Sequence, residues 1–172
     1  MGFDGLYGQD SYEYLRYTNA IQYYVTNQTH PGSFYWPILY PFLGSALGFI
    51  FGSTTFALQL ISCLSFSFTC VYILKSITLL YPKSKQQFSY ILLFAMFCPF
   101  LLKMGLIVMS DALALAFVTL CVYYYIVIQN KQTKKYAYAL VFIFATCAIM
   151  TRYAALFIVL PFILKSLFAA LT

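Results

Sequence analysis

Long uncharged, apolar runs alternate with short charged gaps along this chain, and no other feature restricts its fold so much. Residues 53–74, 86–102, 112–130 and 136–151 contain no Asp, Glu, Lys or Arg, and a fifth run, 153–164, continues past Lys165 to Phe168. A helix rises about 1.5 Å per residue, so about 20 apolar residues cross the roughly 30 Å hydrocarbon core of a bilayer. These lengths predict about five membrane-spanning helices, the shorter ones borrowing flanking residues whose charged tips snorkel to the interface. With 63% of residues hydrophobic and 8% charged, little polar surface is left to coat a soluble domain. The expected fold class is an all-α integral membrane protein.

A sixth apolar run, 38–51, lies between Pro37 and Gly52-Ser53 and is too short to cross, so it is expected to be interfacial or re-entrant. Gly44, Gly48 and Gly52 recur within it at every fourth residue. They either open one smooth face to a close neighbour or merely loosen a short helix. With that run on one side, Lys75, Lys83, Lys85, Lys131, Lys134, Lys135 and Lys165 share one face of the membrane; Arg16, Lys103, Arg152 and all the acids share the other. The positive-inside rule makes the lysine face cytoplasmic. Residues 1–52 are then an extracytoplasmic loop with juxtamembrane or interfacial helices, and 53–172 a transmembrane bundle. The net charge of +6 forms no basic stripe, which argues against nucleic acid as a partner. The five cysteines are odd in number, lie in apolar runs and lack metal-ligand spacing, so neither a disulfide framework nor a zinc site is indicated. No signal-peptide pattern is visible.

Three of the four carboxylates, Asp4, Asp10 and Glu13, fall within the first thirteen residues. After Gly2, Gly5 and Gly8, either Asp10 or Ser11 is placed to cap a helix through "YEYLRYTNAIQYYV". The alternative for Asp10 is a general base accepting the proton of an attacking hydroxyl. Asp111, after Ser110 and before an apolar run, invites the same capping reading. Arg152, in the turn between two predicted spans, either anchors helix ends or holds a lipid phosphate by bidentate hydrogen bonds; Lys103 has the same choice, with anchoring favoured. The aromatics crowding residues 7–40 suit an interfacial belt, and also sugar stacking. His30 has no second ligand at metal-binding spacing.

Taken in order, "GQDSYEY", "HPGSFYWPILYPFLGSALGFIFG", "CPFLLKMGLIVMSDALALAFVTLCVYYY" and "ATCAIMTRYAALFIVLP" resemble the membrane-embedded GT-C glycosyltransferases. The branch is that of protein O-mannosyltransferases, aminoarabinose transferases of lipid A and Rgt-type galacturonosyltransferases of lipopolysaccharide core. The resemblance implies sugar transfer from a polyprenyl-phosphate donor to an extracytoplasmic acceptor such as lipid A, a glycan or a protein, usually with inversion. It implies Asp10 as the catalytic base, Glu13 and Asp111 as candidate active-site acids, and Arg152 and Lys103 as contacts for the donor phosphate. The segment "HPGSFYWPILYP" would shape the cavity. A divalent metal stays open as a cofactor, with no residue assigned to it. A bacterial inner membrane, as part of the cell envelope, is the expected location. Because family members precede the acidic loop with a spanning helix and carry further helices, the chain is read as the N-terminal part of such a protein. The alternatives are a multi-spanning transporter subunit, which would carry ionisable groups near the midplane, and a non-catalytic membrane scaffold.

Overall fold

The computed structural model describes residues 5–28, 30–82, 98–130 and 136–171, and over these the apolar runs are helical. Seven helices and no strand occur among the described residues: α1 Gly8–Asn27, α2 Leu39–Phe51, α3 Thr54–Leu80, α4 Pro99–Leu106, α5 Ser110–Gln129, α6 Tyr136–Thr151 and α7 Ala155–Leu171. By length and apolarity α3 and α5 can each cross a bilayer, while α2, α6 and α7 are shorter apolar helices. The chain is therefore an all-α protein of membrane type.

Three helix starts differ from expectation. The run 86–102 falls largely outside the described residues, but its end is revised: Pro99 opens α4, and the helix continues through Lys103 to Leu106. Proline suits the first helical position because the N–H it lacks would have had no helical partner there. Neither Asp10 nor Ser11 caps α1, which begins earlier, at Gly8, after an extended Tyr7. Asp111 likewise lies inside the first turn of α5, whose flanking Met109 is extended and provides no side-chain cap. Both aspartates sit where helix dipoles favour negative charge, with their carboxylates available for other contacts.

The bundle is built by direction. Parallel α3 and α5 bring Ser62 to Met109 at one end and the Tyr72 ring edge-on to Tyr123, 5.1 Å away, further along. α6 returns antiparallel, its Phe144 stacking on Phe117 and Tyr124 of α5. α7 turns back again to set Phe162 against Tyr125. Ala137, Ala145 and Ala148 on α6 are fully buried against Cys121 and Val159, so small side chains let these helices close. Hydroxyls inside the apolar helices bond to their own backbone, as Thr69 does to the Ser65 carbonyl at 2.9 Å and Thr119 to that of Leu115 at 2.8 Å.

A second core joins Tyr14, Tyr40, Leu58, Ile61, Val108 and Leu113 where α1 and α2 lie along the first turns of α3. α2, about 20 Å long at 1.5 Å per residue, runs antiparallel to α3. Of the three spaced glycines, two permit close approach: Gly44 is buried against Leu58 and Thr18, and Gly48 against Gln22 and Thr54. Gly52 differs, ending α2 in the left-handed region at φ +70. Gly44→Val is expected to drive a side chain into Leu58 and lower stability by about 1–3 kcal/mol, seen as a depressed unfolding midpoint in detergent; an unchanged midpoint would contradict this packing.

Candidate active site

Between α4 and α5 the helix is interrupted. Ile107 (φ −102, ψ 157) and Met109 (φ −146, ψ 145) are extended, and Ile107 and Val108 are buried. Broken backbone among apolar helices must find partners to replace those that a continuous helix would supply. The partners come from the start of the chain and from α3. The Val108 N–H donates to the Gly5 carbonyl at 2.9 Å. The buried Ser11 hydroxyl donates to the Val108 carbonyl at 2.7 Å, with the Tyr7 carbonyl as alternate acceptor at 2.8 Å. The Ser62 hydroxyl donates to the Met109 carbonyl at 3.3 Å. One residue on, the Ser110 hydroxyl shares a 2.7 Å hydrogen bond with the Tyr14 phenol.

This stitching brings the first turns of α1 and α5 together. Asp10 and Asp111 line one cavity of about 240 Å³, along with Tyr7, Lys103, Met104 and Met109. The Lys103 ammonium lies 3.6 Å above the centre of the Tyr7 ring, a cation–π contact that holds the charge at the cavity wall. Arg152 does not line the cavity but reaches its edge through Asp111, whose carboxylate accepts a hydrogen bond from Nη1. Its side chain is 43% exposed against 18% for Asp111, which leaves the remaining guanidinium N–H donors for another anion. The turn that carries it is tight: the Arg152 N–H bonds to the Ala148 carbonyl at 2.9 Å, and its carbonyl accepts from Ala155 at 2.9 Å.

Other sequence candidates are not gathered here. Glu13 pairs with Arg16 at 2.7 Å on the exposed side of α1. The ring nitrogen Nδ1 of His30 accepts from the Gly32 N–H at 3.0 Å and so stabilises a surface turn. Asp4 lies outside the described residues. The segment 30–41 does not line the cavity and packs behind it, on Tyr14, Leu58 and Ser62. Its Tyr40 hydroxyl donates to the Leu58 carbonyl at 3.0 Å and contacts Ser62 at 2.9 Å, while its ring meets Tyr14 edge-on at 5.2 Å.

The residues that organise the cavity were hidden in plain hydroxyls. Ser11 and Tyr14 are these residues, and the buried face of α1 that they begin continues through Tyr17, Thr18 and Ile21. Their three- and four-residue spacing is the signal that could have revealed them. Burial is the main cause pushing the Tyr14 phenol pKa up; Asp10 adds to the rise, and the Ser110 hydrogen bond and the Arg152 charge oppose it. Tyr14 is thus a neutral phenol in the fields of both Asp10 and Arg152. Among the described residues no group of three or more His, Cys, Asp or Glu is arranged to hold a metal ion. Among the described residues the cavity offers two carboxylates, and that of Asp111 is engaged by Arg152, a poor fit to a metal site.

Apolar helices thus converge on a cavity lined by Asp10, Lys103 and Asp111, and the chain belongs to a family of membrane glycosyltransferases. Its family is that of the dolichyl-phosphate-mannose-protein mannosyltransferases, whose family model matches residues 35–172. Lys103, Asp111 and Arg152 fall within the matched residues, and Asp10 and Glu13 precede them. No curated protein and no solved structure matches the chain.

The Asp111–Arg152 pair is partly exposed, so its worth is modest. A double-mutant cycle with Asp111→Asn and Arg152→Gln is expected to return a coupling of about 0.5–1 kcal/mol that shrinks as salt is raised. Thermal unfolding in detergent at two ionic strengths measures it, and additive single mutants would deny the pair.

Proposed function

We propose that this chain transfers a sugar from a polyprenyl-phosphate donor to a hydroxyl-bearing acceptor on the extracytoplasmic side of a membrane. The observation that carries this reading is one cavity, at the end of apolar helices, lined by Asp10, Lys103 and Asp111 and bordered by Arg152. An isoprenoid tail is retained among apolar helices, whereas its phosphate and sugar need cations and a base at the polar boundary. Such a cavity meets both demands.

In this reading the Asp10 carboxylate takes the proton of the acceptor hydroxyl as that oxygen attacks the anomeric carbon. The bond between that carbon and the donor phosphate oxygen breaks, and the electron pair leaves with the phosphate. Lys103, held by the Tyr7 ring, and the uncommitted donors of Arg152 stabilise the leaving charge. Asp111 orients Arg152. Attack opposite the departing phosphate inverts the anomeric centre, and the proton on Asp10 passes to water. No step is routed through a metal. Glu13, paired with Arg16, is given no part in the chemistry.

Residues 1–52 form the extracytoplasmic unit of this proposal and 53–172 the membrane bundle, with the Lys75 end facing the cytoplasm. The inner membrane of a bacterium is the proposed location, and lipid A, a glycan or a protein the acceptor class. Asp10→Asn is expected to reduce transfer to background without loss of expression or of unfolding midpoint, as sugar incorporation in membranes would show; retained transfer would remove Asp10 as base. Lys103→Ala should lower kcat/KM for the donor at least tenfold, an effect of a lost charge-assisted contact on the order of 1.5–3 kcal/mol, with kcat falling because the leaving charge loses a partner, as initial rates in membranes would show. For topology, an impermeant thiol reagent should label a cysteine at position 10, but not one at position 83, from the outside.

A further inference from the structure

We propose that Tyr14 is a positioning residue for the transfer reaction: through Ser110, its phenol fixes the α1 turn bearing Asp10 against the α5 turn bearing Asp111 and, through Asp111, Arg152. The inference rests on the reading above that Asp10 and Arg152 serve opposite ends of one displacement.

The geometry is specific to this side chain. Asp10 and Tyr14 are four residues apart on α1 and so share a face. Tyr14 is 4% exposed, and its hydroxyl meets that of Ser110 at 2.7 Å. Ser110 is the residue before Asp111, within the first turn of α5, so the bond ties the α1 turn that follows Asp10 to the α5 turn that carries Asp111. The phenol is held from behind by the edge-on Tyr40 ring at 5.2 Å, and Tyr40 is itself pinned by Leu58 and Ser62. Ser62 returns to Met109, next to Ser110. The chain of contacts therefore closes on itself around the backbone break, and Tyr14–Ser110 is its link nearest Asp111. Ser11 also ties α1 to the break, but it grips Val108, further along the chain from Asp111. Loss of the Tyr14 hydroxyl removes this bond and keeps the ring, so the start of α1 is left tied to the break through the Gly5 and Ser11 bonds to Val108, and the contact with the residue beside Asp111 is gone.

Displacement of about 1 Å between reacting groups costs up to about 100-fold in rate. Tyr14→Phe is therefore expected to lower kcat about 10- to 100-fold with the donor KM within about twofold, measured on the full chain with dolichyl-phosphate-mannose as probe donor. Ser110→Ala should match it, and the double variant should lose no more than either single one. Thr18→Val, which also removes a buried hydroxyl from α1, should leave kcat unchanged, separating positioning from general loosening of the helix.

A second measurement does not depend on turnover. In a background without native cysteines, Gln9→Cys and Met109→Cys face one cavity from the two elements. Their oxidative cross-linking should slow at least fivefold when Tyr14→Phe or Ser110→Ala is added, and not when Thr18→Val is. An unchanged cross-linking rate in Tyr14→Phe overturns the inference whatever the activity. Where the wild-type chain turns over the probe, normal kcat in Tyr14→Phe beside an inactive Asp10→Asn also overturns it and leaves the functional reading standing. Transfer retained in Asp10→Asn strikes the functional reading instead.

Discussion

The structure depends on how a broken helix is tolerated among apolar neighbours. Residues 107–109 interrupt what would otherwise run from α4 into α5 and leave peptide groups of a buried segment without helical partners. An unsatisfied peptide group there costs several kcal/mol. Gly5, Ser11 and Ser62 meet that demand, two of them from the segment that leads into α1 and from its first turns. The first helix is docked by hydrogen bonds to a break as well as by burial of Tyr14, Tyr17 and Ile21. Placement of Asp10 follows from that docking.

The break also explains why charge is affordable at this end of the bundle. Asp111 is two residues past Met109, where the new helix offers unpaired amides and a favourable dipole. Arg152, fixed by the α6–α7 turn, faces it, so neither charge is left alone in a low-dielectric setting. Lys103 comes from the far side of the same break and lays its ammonium on the Tyr7 ring. Two cations and two carboxylates thus share one boundary region, while the helices leading away from it carry hydroxyls bonded to their own backbone.

Much of the fold was legible because the bilayer imposes a length rule. The run 136–151 coincides with α6, and the runs 38–51 and 112–130 lie within two residues of α2 and α5 at each end. Boundaries failed where a special residue intervened. Pro99 started a helix inside a predicted span, and Lys103 did not stop it, since its ammonium is received by the Tyr7 ring. The capping readings of Asp10 and Asp111 failed because local sequence shows which residues can cap. It does not show that Tyr7 and Met109 would be drawn into extended conformations by partners elsewhere. Tyr14 and Ser110 were invisible for a related reason: a tyrosine among many tyrosines and a serine before an aspartate acquire meaning only across a contact between residues 96 positions apart.

What the sequence alone determined is the class: helices, with their approximate number and lengths, which follow from the cost of placing charge in hydrocarbon. The tertiary structure decided the company each charge keeps. It set Asp10 with Lys103 and Asp111 in one cavity, bound Arg152 to Asp111, and left Glu13 to Arg16 on the surface. Glu13 meets Arg16 within one turn of α1, whereas the shared cavity depends on docking of α1 to the peptide groups at 107–109. Such hydrogen-bond demands are met by whichever residues the fold brings near, whatever their distance along the chain.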